Sequence, residues 1–286
     1  MRLGLSRIPV YYFYSHSFGD AMLPELLMRM VNKPIKAING YTEERGPGLH
    51  LLALGSIFHH AISGDAIWGT GINPVRQRRL PPGFKVDIRA VRGPLTRAFV
   101  VDELGLDCPE IYGDPALLLP KYFPEFQASP EKEHIVIAQH RDEEFIRSNW
   151  NDFSAYNVLL CQHPRMPWRR VVDEILTSRL VVSSSLHGLI IAEAYGVAAR
   201  WWHNGDLPSS KTESRFKYND YYASTGRSLD DFGNSIGEAL EMGGKEPIRG
   251  FDSEKLASAF PYDLFYSYFE RATSPLKNRI RTPSQM

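Results

Sequence analysis

The sequence holds little of what marks secreted, membrane-spanning or metal-binding proteins. Its two cysteines among 286 residues, Cys108 and Cys161, have no CxxC spacing, which argues for reduced thiols rather than a disulfide framework or a zinc site. No apolar run approaches the roughly 20 residues that a membrane-spanning helix needs. The N-terminus carries Arg7 and Pro9 within its apolar stretch and therefore predicts a strand rather than a signal peptide. These absences predict a cytoplasmic protein.

Net charge is absent as well. The 33 Lys and Arg residues balance 33 Asp and Glu residues, which gives a formal net charge of +0, so bulk electrostatics does not draw the chain to nucleic acid. The sequence has no GxxxxGK[ST] phosphate loop, no GxSxG elbow and no HExxH metal motif. "GTGINP" (69–74) lacks the third glycine of a dinucleotide fingerprint. We therefore expect no nucleic-acid partner, no metal and no bound cofactor.

An alternation of strand-like and helix-like segments runs through the chain. "IPVYYFY" (8–14) predicts a strand, and a helix follows in which Leu23, Leu26, Leu27 and Met30 share one face. Later, "LVVSSS", "HGLIIAEAYG" and "VAARWW" predict strand, helix and strand between residues 180 and 202. This order predicts parallel sheets with right-handed crossovers, and so an α/β fold.

A proline-rich stretch divides the chain. "PKYFPEFQASPEKE" (120–133) holds three prolines and a charged end, a composition typical of a linker. Near the C-terminus, "SEKLASAFPYDLFYSYFERA" predicts an aromatic-rich helical segment interrupted near Pro261. We therefore predict an N-terminal lobe over 1–120, a linker over 121–133, a C-terminal lobe over 134–250, and a helical segment with a tail over 251–286.

Polar residues follow the predicted strand "LVVSSS" at the point where a helix begins; we call residues 183–188 the serine turn. In parallel sheets, ligands collect at the carboxyl ends of strands, beside helix N-termini whose first N–H groups lack intrahelical partners. Gly188 allows close approach to this backbone, and the serine hydroxyls and His187 add donors. Together they predict a phosphate or carboxylate site. A capped helix with a packed histidine would explain the same residues.

Arginines follow another predicted strand. Arg89 and Arg92 lie towards the end of "KVDIRAVRG" (85–93), before a helix whose first turn suits Pro94. Guanidinium groups match the geometry of phosphate and carboxylate groups. These arginines therefore predict a second anion-binding site, with an exposed basic face as the alternative.

Three more residues stand at predicted strand ends. Asp20 follows the first strand and either caps the next helix or faces a ligand hydroxyl. His59 follows "LLALGSI", and His140 follows "HIVIAQ". Histidines titrate near neutral pH and suit proton transfer. The adjacent pair His59 and His60 makes a poor metal site, because neighbouring side chains on a helix point in different directions.

These segments together resemble the polysaccharide pyruvyl transferase family, especially its members in exopolysaccharide biosynthesis. The most specific matches are "SSLHGLIIAEAYG" and the pair "RGPLTR" and "GDPALLLP"; "FGDAMLPELL", "GDAIWGTGI" and "FKYNDYYAS" support them, over about residues 18–227. The resemblance implies two Rossmann-like lobes that face a cleft, as in GT-B glycosyltransferases. It also implies phosphoenolpyruvate as donor and a saccharide acceptor, expected to be lipid-linked, with a pyruvate ketal as product. Peripheral association with the inner membrane would then accompany the cytoplasmic location.

One departure from the family pattern bears on the site. Many members have Arg-Leu-His-Gly in the serine turn, whereas this chain has Ser185 in place of the arginine and retains His187. The positive charge for the donor would then come from elsewhere, with Arg89 and Arg92 as candidates. A GT-B-like glycosyltransferase using a nucleotide sugar and a catalytically inactive carbohydrate-binding member are the alternatives. The candidate catalytic residues are His187, His140 and Asp20, and the candidate donor-binding residues are Ser184, Ser185, Gly188, Arg89, Arg92 and His59.

Overall fold

A computed structural model describes residues 9–13, 17–46, 48–161, 166–203, 205–207, 215–245, 248 and 250–266. The chain divides into two compact units. The first unit comprises Met1–Phe13, Leu23–Pro115 and Asp252–Met286, and the second comprises Tyr14–Met22 and Ala116–Phe251. The domain boundaries that the proline-rich stretch suggested stay a prediction.

The first unit contains a five-stranded parallel sheet in the order β2-β1-β3-β4-β5. Apolar side chains of its central strands, such as Leu51 and Ile67, are buried, which explains why short runs suffice to form it. The indole of Trp68 donates to the carbonyl oxygen of Leu256 over 2.9 Å and so connects the sheet to the C-terminal helices. The strands are β1 (Val10–Tyr12), β2 (Ala37–Asn39), β3 (Leu51–Leu52), β4 (Ala66–Trp68) and β5 (Asp87–Ala90).

The second unit contains a four-stranded parallel sheet in the order β7-β6-β8-β9. Its strands are β6 (Lys132–Ile137), β7 (Val158–Leu159), β8 (Ser178–Ser183) and β9 (Ala198–Trp201). The strand–helix–strand order around the serine turn is therefore confirmed. Two parallel sheets with flanking helices also confirm the α/β, Rossmann-like fold class, while the GT-B-like arrangement of lobes stays a prediction.

Helices follow most of the strands. The α-helices are α1 (Phe18–Val31), α2 (Pro94–Asp102), α3 (Leu119–Tyr122), α4 (Glu143–Ser148), α5 (Trp150–Phe153), α6 (Trp168–Leu176), α7 (Leu186–Ala194), α8 (Phe216–Ser224), α9 (Ile236–Met242), α10 (Ser253–Ser258) and α11 (Tyr262–Phe265). Pro261 separates α10 from α11, so the predicted interruption is confirmed; residues 267–286 of that segment lie outside the described residues. Within the described ranges, every helix falls short of the length and apolar character that crossing a bilayer requires.

Helix α1 bears out its apolar pattern but not its predicted cap. Leu23, Leu26 and Leu27 are fully buried. The helix begins at Phe18, which places Asp20 in its first turn rather than at the N-cap. The backbone N–H of Asp20 instead donates to the hydroxyl of Ser17 over 3.4 Å. Ser17 therefore caps the helix, because the cap residue accepts from the N–H three positions later.

Helix α7 is buried on all sides. Every residue from Leu186 to Ala192 is buried, and the helix packs against β8, β9, α3 and α6. An apolar surface all round is typical of a helix in the interior of a domain rather than on its surface. This burial fixes the position of the residues in its first turn.

Candidate functional site

The serine turn lies at the carboxyl edge of the second sheet. Strand β8 ends at Ser183 and α7 begins at Leu186, so Ser185 occupies the N-cap position with an extended backbone. The side chain of Ser185 makes no capping hydrogen bond. The first N–H groups of α7 thus carry the positive end of the helix dipole without a hydroxyl of Ser185 placed over them.

The hydroxyls of the other two serines hold the turn against the residues that follow β6. Ser183 Oγ donates to the carbonyl oxygen of Ile137 over 3.0 Å and accepts the backbone N–H of Ser185 over 2.9 Å. Ser184 Oγ accepts from the backbone N–H of Gln139 over 2.9 Å and donates to Asp142 over 3.3 Å. These bonds account for Ser184 structurally, and its contact with a donor stays a prediction.

Gly188 also has a packing reason. A Cβ at this position would lie 3.1 Å from Cβ of Ser183 and still closer to its hydroxyl. The glycine therefore lets α7 approach the end of its own preceding strand. Sequence reasoning attributed it to close approach by a ligand, and that function stays a prediction.

His187 packs directly on Gly19 of α1, and both residues belong to the second unit. A Cβ at Gly19 would lie 2.7 Å from Cβ of His187 and closer still to Cγ and Nδ1 of its imidazole ring. The histidine is 9% exposed. The structure thus brings together the sequences "FGDA" and "LHG", which are more than 160 positions apart, and places Asp20 beside the residue that His187 contacts.

His140 lies at the same edge of the second sheet. It begins a short 3₁₀ helix (His140–Asp142) that follows β6. The preceding residue, Gln139, is bonded through its backbone to Ser184. The structure therefore places the predicted residues His140, Ser184 and His187 at neighbouring strand ends.

Sequence reasoning missed the contribution of α8. The hydroxyl of Tyr218 donates to the carbonyl oxygen of Ser184 over 2.6 Å, and its ring stacks on Trp201 with centroids 4.3 Å apart. His203, which follows β9, packs against Trp201 as well. Burial and the nearby Arg215 lower the pKa of His203, while Asp142 raises it. The motif "FKYNDYYAS" signalled that α8 matters, but no local pattern connected it to the serine turn.

A buried ion pair fastens α8 to α7. Arg227 donates to the two carboxylate oxygens of Glu193 over 2.8 and 2.7 Å, and the hydroxyl of Tyr221 donates to the same carboxylate. Burial and the charge of Glu193 raise the pKa of Tyr221 well above its ordinary value. The tyrosine hydroxyl therefore stays a donor to the carboxylate throughout the neutral range.

Arg92 lies at the carboxyl edge of the sheet in the first unit. It is 1% exposed and donates to the hydroxyl of Ser56 over 2.8 Å. Its guanidinium lies across Gly71, where an added Cβ would come 2.5 Å from Nη1. The glycine at position 71 thus leaves room for a buried cation at the ends of β3, β4 and β5, and anion binding by Arg92 stays a prediction.

His59 belongs to the same edge. It lies in a 3₁₀ helix (Phe58–His60) shortly after Ser56, the partner of Arg92. Burial and the positive charge of Arg76 lower the pKa of His59, and burial and the neighbouring His59 lower that of His60 to about 4. Both imidazoles are therefore neutral at pH 7.

Arg89, on β5, is held by two carboxylates. It donates to Asp87 over 2.7 Å and to Asp263 over 3.0 Å. Although burial acts to lower its pKa, hydrogen bonds to these two carboxylates raise it. Two salt bridges neutralise the guanidinium within the first unit and favour a structural role, so donor binding by Arg89 stays a prediction. Among the described residues, no group of three or more His, Cys, Asp and Glu side chains could hold a metal ion.

Known proteins are similar to the segments that contain these candidate site residues. The model of the family "Polysaccharide pyruvyl transferase" matches residues 66–201, a range that contains Arg92, His140 and His187. The chain is 29% identical over 186 residues to "Succinoglycan biosynthesis protein ExoV" of Rhizobium meliloti, covering 63% of this chain and 55% of that protein.

Two further similarities extend over more of the chain. "Uncharacterized protein L143" of Acanthamoeba polyphaga mimivirus is 26% identical over 235 residues, which are 79% of this chain and 77% of the viral protein. A crystal structure of a functionally uncharacterised protein from Klebsiella pneumoniae aligns at 12% identity with a TM-score of 0.43. That alignment covers 74% of this chain and 89% of the other.

Proposed function

We propose that the chain is a member of the polysaccharide pyruvyl transferase family, whose model matches residues 66–201, and that it transfers the pyruvyl group of phosphoenolpyruvate to two hydroxyls of a saccharide. The product is a cyclic pyruvate ketal, and inorganic phosphate is released. The similarity to a succinoglycan biosynthesis protein supports a role in exopolysaccharide synthesis. The observation that carries the proposal is the serine turn, with His187 in the first turn of α7.

The reaction sets three requirements. Phosphoenolpyruvate carries a carboxylate and a phosphate, so the enzyme has to bind two anions. Protonation of the methylene carbon makes C2 electrophilic, and the first sugar hydroxyl attacks it while losing its proton. The second hydroxyl then attacks C2, its proton is taken up, and the C2–O bond to phosphate breaks. The two hydroxyl protons balance the proton gained by the methyl group and the one taken up by the departing phosphate.

The serine turn meets the requirement for an anion. The N–H groups in the first turn of a helix have no intrahelical partners and attract negative charge. Ser185 makes no capping hydrogen bond at this end of α7, which supports the binding of an anion there. We assign the donor to this position, with His187 next to it.

His187 is the proposed group for proton transfer. Imidazole changes protonation near neutral pH and therefore suits a reaction that moves protons in both directions. Packing on Gly19 and in the buried α7 fixes its position, which is what a catalytic group needs. In the first unit, Arg92 is the proposed donor-binding cation, because it is buried at the ends of β3, β4 and β5.

Measurements of turnover and of ligand binding test the proposal. The protein is incubated with phosphoenolpyruvate and an oligosaccharide fraction from exopolysaccharide-producing cells, and phosphate release is followed together with the methyl signal of the ketal. His187→Ala should lower turnover about a hundredfold or more. His134→Ala, on β6 of the same unit, is the matched control and should retain activity. Stabilisation by nucleoside diphosphates but not by phosphoenolpyruvate, without ketal formation, would support a glycosyltransferase instead.

A further inference from the structure

Polar groups from three strand ends and from α8 meet around Ser184 in the second unit. Gln139 and Asp142 follow β6 and are bonded to Ser184 through a backbone N–H and a carboxylate, respectively. His203 follows β9 and packs on the ring of Trp201, on which Tyr218 also stacks. Tyr218 holds the carbonyl oxygen of Ser184. We call Gln139, Asp142, Ser184 and His203 the β6–β9 cluster.

The side chain of Gln139 has a feature that the fold itself does not explain. The residue is 8% exposed, and its amide oxygen has no hydrogen-bond partner among the residues that the structure describes. A buried hydrogen-bond acceptor without a partner lowers the stability of the folded state by about 1–3 kcal/mol. A native protein that keeps such a group usually has a structural or functional reason for it. The amide oxygen needs a donor that comes from outside the described chain.

The chemistry of the two substrates decides which one supplies that donor. At pH 8, phosphoenolpyruvate is ionised at both its carboxylate and its phosphate and therefore offers acceptor oxygens only. A saccharide hydroxyl donates one hydrogen bond and accepts others. Gln139 Oε1 and the Asp142 carboxylate both accept, so they complement hydroxyls and oppose an anion.

His203 fits the same ligand. Burial and Arg215 lower its pKa, so the imidazole is neutral near pH 7 and offers one donor and one acceptor nitrogen. Neighbouring hydroxyls on a pyranose ring donate and accept in the same way. The β6–β9 cluster thus presents both hydrogen-bond donors and acceptors, whereas the first turn of α7 presents hydrogen-bond donors.

We propose that the β6–β9 cluster is the acceptor subsite, in which Gln139 and Asp142 receive hydrogen bonds from saccharide hydroxyls. The inference rests on the proposed function and names its second substrate site. It separates the two substrates by chemistry: the donor anion at the helix N-terminus, and the neutral hydroxyls at the neighbouring acceptor oxygens.

The test measures saccharide binding separately from turnover. Methyl β-galactopyranoside and methyl β-glucopyranoside at millimolar concentration serve as probes, with saturation-transfer NMR at pH 8 as the readout. Gln139→Met keeps the size of the side chain and removes the amide oxygen. We expect at least a fivefold loss of saccharide signal, a rise of about tenfold in the KM for the oligosaccharide acceptor, and an unchanged affinity for phosphoenolpyruvate.

Thermal stability distinguishes this function from a structural one. Because Gln139 Oε1 has no hydrogen-bond partner to lose among the residues that the structure describes, Gln139→Met should have a Tm equal to or above that of the wild type. The control is Gln77→Met in the first unit, where another buried amide oxygen lacks a partner among the described residues, and it should leave saccharide binding unchanged.

Each of three outcomes would overturn the inference. They are wild-type protein that shows no saccharide signal, a variant that binds both probes as the wild type does, and a variant that loses affinity for phosphoenolpyruvate instead. A lower Tm with unchanged saccharide binding would assign Gln139 to the fold. Failure of the proposed function is recognised separately, because the wild type would then release no phosphate from phosphoenolpyruvate.

Discussion

The contact between Gly19 and His187 allows a one-carbon perturbation of the proposed catalytic residue from another helix. In Gly19→Ala, the new Cβ would lie 2.7 Å from Cβ of His187 and closer still to Cγ and Nδ1 of its ring. Ordinary carbon–carbon contact needs about 3.5–4.0 Å, so the histidine has to move by about 1 Å. A displacement of this size at a reacting group can cost about a hundredfold in rate.

Stability should fall as well, since overpacking a buried site costs about 1–3 kcal/mol. The measurements are kcat/KM for ketal formation and the Tm of the variant. Gly237→Ala in α9 is the matched control, because its added Cβ would meet nothing closer than the Tyr156 hydroxyl at 3.4 Å. Alanine is a better helix former than glycine by about 1 kcal/mol, so this control should be as stable as the wild type or more so.

A double mutant separates the effect of the contact with His187 from the effect of the Gly19→Ala substitution itself. In the His187→Ala background, the added methyl group meets no imidazole but still lies 2.7 Å from the Cβ that alanine retains, so Gly19→Ala should lower the Tm by less than it does in the wild type. The coupling between the two positions follows from the four Tm values. Wild-type activity and Tm in Gly19→Ala, or the same destabilisation with and without His187, would refute the assignment of this contact.

Three further predictions concern other residues. Arg92→Ala should raise the KM for phosphoenolpyruvate about tenfold or more, with partial recovery in Arg92→Lys; an unchanged KM in steady-state kinetics would remove this residue from donor binding. Glu193→Ala leaves Arg227 buried without its carboxylate and should cost about 3–5 kcal/mol in denaturant unfolding, whereas a loss below 1 kcal/mol would contradict the buried pair. His60 has a pKa of about 4 in the folded state against 6.5 for the free side chain, so the unfolded chain binds the extra proton between these values. The contribution of the neutral His60 to the free energy of unfolding should be fully present above pH 6.5 and should fall by about 1–2 kcal/mol towards pH 4, with allowance for solvent screening of the half-buried ring. If the free energy of unfolding of His60→Asn depended on pH as steeply as that of the wild type, this prediction would be refuted.

Local patterns predicted the elements that position the site. The alternation of "LVVSSS", a helical run and "VAARWW" was enough to predict β8, α7 and β9, because each signal lies within a few residues. The serine turn followed from the place of Ser183–Gly188 between strand and helix. The apolar face of α1 likewise required only the spacing of its leucines.

Contacts between distant residues were out of reach. The partner of Arg89 is Asp263, 174 positions away, and no spacing rule relates them. Tyr218 and Ser184 are 34 positions apart, and Gly19 and His187 are more than 160 positions apart. The predicted N-cap of α1 was wrong for another reason: Ser17 and Asp20 are both good capping residues, and the sequence alone does not say which one precedes the helix.

The hydrogen bonds of Ser183 and Ser184 have a consequence for the order in which the protein acquires its function. They join residues 42 to 46 positions apart, whereas β8, α7 and β9 are contiguous and can dock early. Contacts between residues far apart in the sequence form late in folding, because closing the loop between them costs conformational entropy before the contacts can stabilise the chain. Newly synthesised chains would therefore contain α7 before the serine turn is held in place, and the proposed donor site would be complete only once β6 has joined β8.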